Sequence, residues 1–396
     1  MATAVIVDAL RSPGGKRFGQ LSGWHPADLA GEVLRALVER NDLDPALIDD
    51  VIMGCVMQVG SQSLNIGRNA VLATGFPESV PATTIDRQCG SSQQSAHFAA
   101  QGVMAGAYDV VVAAGVEVMS TTPMGASVTA GSFPFGPKVL ERYAGVGGLV
   151  PQGISAEMIA DKWSLSRKDL DGFGARSQQR ALLATEEGRF ENEILAVAAR
   201  PLDKETGKLI ESDEVVSRDE GIRPGTTAET LAKLKPAFKP DGKVTAGNSS
   251  QITDGASAVL IMSEEKAAQL GLTPRARFHT FALAGVDPVT MLTGPIPSTA
   301  KALDKAGLSV GDIDLFEVNE AFASVVLAWE KELHPDMERV NVNGGAIALG
   351  HPLGCSGTKL MATLLNELER TGGRYGLQTM CEGGGLANAT IIERLG

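Results

Sequence analysis

The chain runs through one order of segments twice, and this internal repeat constrains its fold more than any other feature. Residues 43–56 and 308–319 each run from a capped turn into an apolar strand that ends on polar residues. Each half then has a glycine-flanked turn ahead of a helical segment, at Cys89 in the first half and at His351 in the second. A fixed order of matching segments is typical of a duplicated unit.

A third matching pair, the glycine-containing strand regions 110–118 and 377–392, follows in the same order. Three ordered matches favour duplication over chance similarity. Strand and helix patterns alternate, which predicts the α/β class with sheets covered by helices. Because duplicated halves usually pack face to face, we expect a shared site between them.

The stretch between the two halves has a different composition. Glycine, proline and charged residues dominate it, and its strand patterns are weak. We interpret it as an inserted, partly irregular domain. The predicted division is a first half, an inserted loop domain and a second half, at residues 1–118 with 246–270, 119–245 and 271–396 respectively.

Charge and cysteine usage exclude several classes of function. The net charge of −12 argues against a nucleic-acid partner. The four cysteines form no Cys-x-x-Cys pair, so neither a zinc site nor a disulfide framework is indicated. The N-terminus lacks a signal-peptide pattern, and no apolar run approaches the roughly 18 residues of a membrane span. We expect a cytoplasmic protein without membrane insertion.

Cys89 is the candidate nucleophile. It follows a predicted strand and precedes a predicted helix (residues 93–106), so its thiol would lie at the positive end of that helix. Such a position lowers a thiol pKa and activates the sulfur. The alternative is a buried, inert cysteine, which is the commoner state of free cysteines.

His351 is the candidate base. It stands between Gly350 and Pro352 in the glycine-rich stretch 341–357, just ahead of a predicted helix. Glycine and proline make that stretch a turn that presents one imidazole at a fixed point. The alternative is a structural turn with a surface histidine.

Two further candidate site residues, Cys381 and Asn319, each lie near the end of a predicted strand. Cys381 is followed by one residue and then by three consecutive glycines. The backbone N–H groups of these glycines could bind an oxyanion. Asn319 ends a predicted strand, where its amide could orient a water or polarise a carbonyl. The alternatives are a core cysteine and an ordinary helix N-cap.

At these positions the chain resembles the thiolase family. The resemblance spans essentially all 396 residues, including the repeat and the insertion. It implies a duplicated thiolase fold of two βαβαβαββ halves, layered α-β-α-β-α, with an inserted loop domain. The motifs that carry it are Cys89-Gly-Ser, Val318-Asn319-Glu320-Ala-Phe, Gly345–Gly350 with His351-Pro-Leu-Gly, and Cys381-x-Gly-Gly-Gly.

The resemblance also implies a role for each residue. Cys89 would carry the acyl group, and Cys381 would move the proton on the α-carbon of acetyl-CoA. The N–H groups of Cys89 and Gly383 would form one oxyanion hole. His351 and a water held by Asn319 would form the other.

Coenzyme A binding is likewise implied by family resemblance. Ser250 matches a serine that contacts the pantetheine arm, and Arg223 matches a basic residue near the nucleotide. A solvated surface arginine is the alternative for Arg223. No permanently bound cofactor and no metal are expected, since CoA and acetyl-CoA act as substrates. The resemblance implies a homo-oligomer, at least a dimer and often a tetramer.

Two departures from the family bear on specificity. Acetoacetyl-specific members typically have His-Met before a glycine where this chain has Pro151-Gln152 before Gly153. Ser92 replaces a glycine and could reshape the pocket behind the nucleophile. We therefore expect ketoacyl chains longer than four carbons to be accepted.

The sequence thus predicts a thiolase that cleaves 3-ketoacyl-CoA with CoA and also runs the reverse condensation. A strictly biosynthetic acetoacetyl-CoA thiolase is one alternative. A ketoacyl synthase would normally use two histidines and an acyl-carrier partner. A non-catalytic lipid carrier would lack one or more of the four motifs.

Overall fold

The computed structural model describes residues 2–128 and 133–396. In chain order, the strands of these residues are β1 (Ala4–Arg11), β2 (Gly15–Lys16), β3 (Asp50–Gly54), β4 (Ala82–Ile85), β5 (Val110–Val118), β6 (Val197–Ala198), β7 (Val215–Val216), β8 (Thr253–Ser263), β9 (Ala276–Gly285), β10 (Leu315–Val318), β11 (Tyr375–Glu382) and β12 (Leu386–Arg394). The helices are α1 (Pro26–Arg40), α2 (Ile66–Thr74), α3 (Ser91–Met104), α4 (Pro137–Ala144), α5 (Gln152–Lys162), α6 (Arg167–Glu186), α7 (Ala228–Leu231), α8 (Glu264–Leu270), α9 (Pro295–Ala306), α10 (Ala323–Leu333), α11 (Ala346–Leu349) and α12 (Ser356–Thr371).

The strand order repeats between the halves, which explains the repeat in the sequence. The first half has the order β4-β3-β5-β8-β1, and the second has β10-β11-β12-β9. Next to β10, at the place of β4, the second half has a parallel bridge between Phe316 and Val340. The central strands β3 and β5 are parallel, as are their counterparts β10 and β11. The predicted α/β class and the duplicated fold are confirmed.

The two halves also share one sheet. β1 pairs with β9 antiparallel, through Val5 with Arg277 and Ile6 with Ala276. The N–H of Arg275 extends this pairing by donating to the carbonyl of Ile6 at 2.8 Å. The described strands of both halves therefore form a continuous hydrogen-bonded sheet, with β6 and β7 as a separate pair.

Two helices, α3 and α12, lie between the halves. In β1, Ala4 and Ile6 face the apolar cluster that contains α3 and α12 side chains, whereas Val5 and Val7 face the cluster around α1. Strands buried on both faces require such apolar side chains at consecutive positions. The outer face of the second half packs against α10. The layers are thus outer helices, the part of the sheet in the first half, α3 with α12, the part of the sheet in the second half, and outer helices.

The chain between β5 and β8 contains four helices and the small β6–β7 pair within the described residues. The three-part division and its boundaries stay a prediction. β8 begins at Thr253 and ends at Ser263. Among the described residues, every helix is too short or too polar to cross a membrane.

Candidate active site

Cys89 lies on a tight turn between β4 and α3. The N–H groups of Gly90 and Ser91 donate to the carbonyls of Arg87 and Gln88, each at 3.0 Å. Gln88 has a φ of 48°, an uncommon conformation for a residue other than glycine. The helix begins two residues earlier than predicted, at Ser91. The turn therefore places the thiol directly before the helix N-terminus.

The Cys89 thiol is neutral at rest, contrary to our prediction of a lowered pKa. Burial raises its pKa to about 12, and a negative charge on Glu382, when that group ionises, adds to the rise. The backbone N–H groups of Cys89 and Gly383 act in the opposite direction. Loss of solvent outweighs the helix terminus here because Cys89 is only 5% exposed. A base must remove the proton as the sulfur attacks.

His351 can act as that base because its buried ring is neutral. Burial lowers its pKa to about 3, and the charge of Lys359 adds to this effect. Ser356 Oγ donates to the carbonyl of Pro352 at 2.9 Å, so it accepts from His351 Nδ1 at 2.5 Å. With the proton assigned to Nδ1, Nε2 is the acceptor nitrogen of the ring.

The turn before His351 requires glycine. Gly350 has a φ of 82°, and a Cβ atom there would lie 2.2 Å from Thr253 Oγ1. That hydroxyl instead accepts the His351 N–H at 3.1 Å. The Lys359 Nζ donates to the carbonyls of Leu349 and Gly350 at 3.3 and 3.2 Å. These contacts fix where the imidazole enters the site.

Asn319 lies beside His351 rather than at a helix N-cap. Its Nδ2 donates to His351 Nε2 at 3.4 Å, and its backbone N–H donates to the carbonyl of Thr379. The cap position of α10 is occupied by Phe322, three residues later. The N-cap alternative for Asn319 is therefore wrong, and the amide is available to the site.

Cys381 and Gly383 reach the site from the end of β11. Cys381 is fully buried, and its pKa is raised well above the usual range by burial and then by the negative charge of Cys89. The influence of Cys89 on Cys381 places the two residues near each other. Gly383 lies in the turn after β11, next to Gln88. The structure thus brings Cys89, His351, Asn319, Cys381 and Gly383 to one place.

Two cavities meet at Cys89. The first, of about 350 Å³, is lined by Cys89 and His351 together with side chains from the segments before β8 and α10, and we name it the His351 cavity. The second, of about 290 Å³, is lined by Cys89, Gly383 and apolar side chains, and we name it the Gly383 cavity. Gln152 lines both of them.

The two residues predicted to bind CoA lie at different depths. Ser250 lines the His351 cavity, and its N–H donates to the carbonyl of Ala321 at 2.9 Å. Arg223 is exposed and lies outside the lining of that cavity. Its guanidinium donates at 3.3 Å to Gln251, which does line the cavity. Arg223 is therefore placed toward the cavity's outer edge.

Ser92 does not reshape the pocket, contrary to our expectation. It is fully buried, lies outside both cavity linings, and its Oγ accepts the N–H of Thr358 at 3.0 Å. Because Ser92 belongs to α3 and Thr358 to α12, this bond joins the two central helices. The extra hydroxyl serves the packing of the halves.

Ser356 is a site residue that the sequence reasoning missed. A serine at the first position of a helix is read as a cap, and nothing in the sequence reveals that its hydroxyl faces a histidine five residues earlier. Phe238 and Phe322 were missed for a similar reason. Their rings make an edge contact at 5.9 Å and both line the His351 cavity, although they are distant in the chain.

The family model for the thiolase N-terminal domain matches residues 4–265, and that for the thiolase C-terminal domain matches residues 272–394. The chain is 50% identical to the steroid 3-ketoacyl-CoA thiolase FadA6 of Mycobacterium tuberculosis, covering 100% of this chain and 95% of the relative. It is 45% identical to a 3-ketoacyl-CoA thiolase of Bacillus subtilis, covering 99% and 100%.

Solved structures agree with this assignment. Human mitochondrial 3-ketoacyl-CoA thiolase superposes with a TM-score of 0.89 at 38% identity, covering 100% of this chain and 99% of that chain. The Bacillus anthracis acetyl-CoA acetyltransferase superposes with a TM-score of 0.88 at 41% identity, with the same coverage. Both family models, the full-length relatives and the two-half fold lead to one conclusion: the chain belongs to the thiolase family.

Proposed function

We propose that this thiolase-family acyltransferase cleaves 3-ketoacyl-CoA with free CoA, giving acetyl-CoA and a shortened acyl-CoA, and that it also catalyses the reverse condensation. The observation that carries the proposal is that Cys89 lies where two cavities meet, with His351 in the lining of one and Gly383 in the lining of the other. Asn319 lies beside His351, and Cys381 lies near Cys89. The relatives named 3-ketoacyl-CoA thiolase support the same reaction.

In the first step, Cys89 becomes acylated. His351 Nε2 takes the thiol proton while the sulfur attacks the 3-keto carbon. The resulting oxyanion is stabilised by N–H donors such as those of Cys89 and Gly383. The bond between C2 and C3 then breaks, its electron pair stays on C2, and Cys381 protonates C2. Acetyl-CoA leaves, and the shortened acyl group remains on Cys89 as a thioester.

In the second step, CoA removes the acyl group. Cys381, now a thiolate, takes the proton of the CoA thiol, whose sulfur attacks the thioester carbon. Cys89 leaves as a thiolate and regains its proton from His351. Each group returns to its starting state, so the cycle needs neither an oxidant nor a metal-bound nucleophile.

The CoA arm is proposed to enter along the His351 cavity. Ser250 lines this cavity beside Phe238, which suits a pantetheine chain with both amide and methylene groups. Arg223 lies further out, where a cation can meet a phosphate. Replacing Arg223 with Ala should raise the KM for CoA with little change in kcat, whereas an unchanged KM would remove it from the binding site.

The acyl chain is proposed to enter the Gly383 cavity. Its lining includes Met57 and Met291, flexible apolar side chains that adapt to varied ligand shapes. A further apolar groove of about 710 Å³ shares Met57 and Gly383 with this cavity and extends it toward Phe135 and Leu386. This room supports a substrate with a chain longer than four carbons or with a ring.

Substrate preference is tested by comparing kcat/KM for acetoacetyl-CoA with that for medium-chain and cyclic 3-ketoacyl-CoA. We expect the longer and cyclic substrates to equal or exceed the four-carbon one. Met57→Trp should fill the Gly383 cavity and lower kcat/KM selectively for the larger substrates. Val215→Trp, at an exposed position outside both cavity linings, is the matched control. A strong preference of the native enzyme for acetoacetyl-CoA would contradict this proposal and favour the strictly biosynthetic alternative.

A direct assay separates the remaining functional alternatives. Cleavage of acetoacetyl-CoA that depends on free CoA supports a thiolase. Activity only with an acyl-carrier protein would identify a ketoacyl-synthase-like enzyme, and binding without turnover would identify a lipid carrier. All four family motifs are present, which favours the first outcome.

We further propose that the enzyme is a cytoplasmic homo-oligomer, a dimer or tetramer. β4 is an edge strand of the sheet, and Leu64, which is 89% exposed, directly precedes Asn65, whose side chain donates to the carbonyl of Ala82 in β4. An edge strand presents unpaired backbone N–H and C=O groups, which can pair with a second copy of the chain. Light scattering coupled to size-exclusion chromatography measures the mass directly, and a monomer at micromolar concentration would contradict the proposal.

A further inference from the structure

Glu382 is a buried carboxyl group that the proposed reaction does not use. It is the last residue of β11, between Cys381 and Gly383, and it is fully buried. Its carboxyl group packs against Gly90, where an added Cβ atom would lie only 2.0 Å from Oε1. Because Gly90 directly follows Cys89, Glu382 lies against the turn that carries the nucleophile.

Among the described residues, both carboxyl oxygens of Glu382 lack a hydrogen-bond partner. Asn388 lies against the same glycine, yet its amide Nδ2 donates at 3.0 Å to the carbonyl of Gly90. A buried carboxylate without donors is strongly disfavoured, so burial favours the neutral acid. The packing at Gly90 and the missing donors thus indicate a protonated Glu382 at neutral pH.

The charged groups that face Glu382 act in opposite directions. Burial raises the pKa of Glu382 to about 8, Arg87 lowers it, and Asp86 raises it. In return, the negative charge of Glu382 raises the pKa values of both Cys89 and Cys381. Ionisation of Glu382 and ionisation of the neighbouring thiols therefore oppose each other.

We propose that Glu382 controls the reactivity of Cys89 through its own charge: as a neutral acid it permits the Cys89 thiolate to form, and as a carboxylate in alkaline solution it opposes that step. Glu382 is a positioning residue, since it acts on the nucleophile and not on the substrate. The inference rests on the proposed role of Cys89 as the nucleophile. It does not depend on which ketoacyl-CoA is cleaved.

The test measures the rate at which iodoacetamide alkylates Cys89 at several pH values between pH 7 and pH 9.5. Peptide mass spectrometry monitors the alkylation. Glu382→Gln keeps the shape of the side chain and removes its charge. We expect the ratio of the variant's rate to the native rate to rise about fivefold or more over this range, because one pKa unit corresponds to tenfold. No thiolase substrate is needed, so failure of this inference is distinguishable from failure of the proposed function.

Asp86→Asn gives an independent second arm. Removing the negative charge beside Glu382 lets that carboxyl ionise at lower pH. The alkylation rate of Asp86→Asn should therefore fall below a single-ionisation curve at a lower pH than the native rate does. A Glu382→Gln ratio that stays constant with pH would overturn the inference. Should Glu382→Gln not fold, coincident profiles of Asp86→Asn and the native enzyme would overturn it equally.

Discussion

The Cys89 turn and the His351 turn occupy equivalent places in the two halves but are built differently. Cys89 follows the regular strand β4 by a few residues and immediately precedes α3. The second half has only the Phe316–Val340 bridge at the position of β4, and its chain passes through α11 before it reaches His351. The shared strand order determines where each turn lies in the fold. The length of the connection before the turn determines which side chain reaches the site.

Burial shifts the pKa values of Cys89 and His351 in opposite directions, and both shifts favour the neutral form. Loss of solvent raises the pKa of the Cys89 thiol and lowers the pKa of the His351 imidazole, so both groups are neutral at rest. A pre-formed thiolate–imidazolium pair is therefore disfavoured. The proton moves when the substrate is bound, and the halves must hold both groups in position until then.

Replacing the nucleophile should have the largest effect on this pair. Cys89→Ala should gain no acyl group from acetyl-CoA and should lose turnover by roughly 10⁴-fold or more. Intact-protein mass spectrometry after mixing with acetyl-CoA measures the acyl-enzyme directly. The control is Cys55→Ala, which removes another buried free cysteine of the first half and should still be acylated. An acetyl group on Cys381 in Cys89→Ala would show that the assigned sulfur roles are wrong.

Replacing the second cysteine should separate acylation from carbon–carbon chemistry. Cys381→Ser should still accept an acetyl group on Cys89, although more slowly, since Cys381 forms no bond to the acyl group and only moves protons at C2 and at the CoA sulfur. Thiolysis and condensation should fall by about 10²–10⁴-fold, because a hydroxyl is a much weaker acid than a thiol. Mass spectrometry and a turnover assay are run on one preparation. Near-native turnover would contradict the role of Cys381.

Releasing the imidazole should have a smaller effect than removing a reacting sulfur. Ser356→Ala deletes the 2.5 Å contact at His351 Nδ1 and leaves the ring free to rotate. We expect kcat/KM and the alkylation rate of Cys89 to fall together by about tenfold, which corresponds to one hydrogen bond. Ser356→Thr retains the hydroxyl and should restore most of the loss. Equal rates for Ser356→Ala and the native enzyme would show that the loop alone orients His351.

The smallest expected effect concerns stability near the Cys89 turn. The unfolded chain ionises Glu382 near 4.5, whereas the folded chain keeps it neutral up to about 8. The stabilisation that the neutral Glu382 contributes to the folded state is therefore fully present below the unfolded pKa of 4.5. It is lost as the pH rises toward the folded pKa of about 8. Glu382→Gln cannot ionise, so its gain in unfolding free energy over the native enzyme should grow by ~1–3 kcal/mol between pH 5 and pH 8. Thermal unfolding at several pH values checks this, and a gain independent of pH would contradict a buried neutral acid.

The sequence predicted the duplicated fold and the residues that meet at the site, because glycine, cysteine and histidine spacing is local information. The helix predicted at residues 93–106 forms as α3 at Ser91–Met104. The sequence could not predict how completely the site is buried, because burial depends on the packing of distant segments. The expected low pKa of Cys89 failed for that reason, as did the expected effect of Ser92 on the pocket.

The elements missed from the sequence lie mostly at contacts between distant segments. Ser356 acts on His351, and Phe238 meets Phe322 only after the chain between β5 and β8 has folded onto the second half. Glu382 reads as a polar residue before a glycine turn, and its position against Gly90 depends on the packing of β11 beside α3. Local patterns therefore located the reacting groups, while their protonation states followed from tertiary structure.

The pairing of β1 with β9 has a mechanical consequence. A hydrogen-bonded sheet that crosses from one half to the other resists rotation of the halves about a hinge, and α3 and α12 fill the space that such a rotation would need. Cys89 and His351 thus belong to one stiff frame. Substrate admission must come from movement of the segments that rim the two cavities, and heating should melt both halves in a single cooperative step.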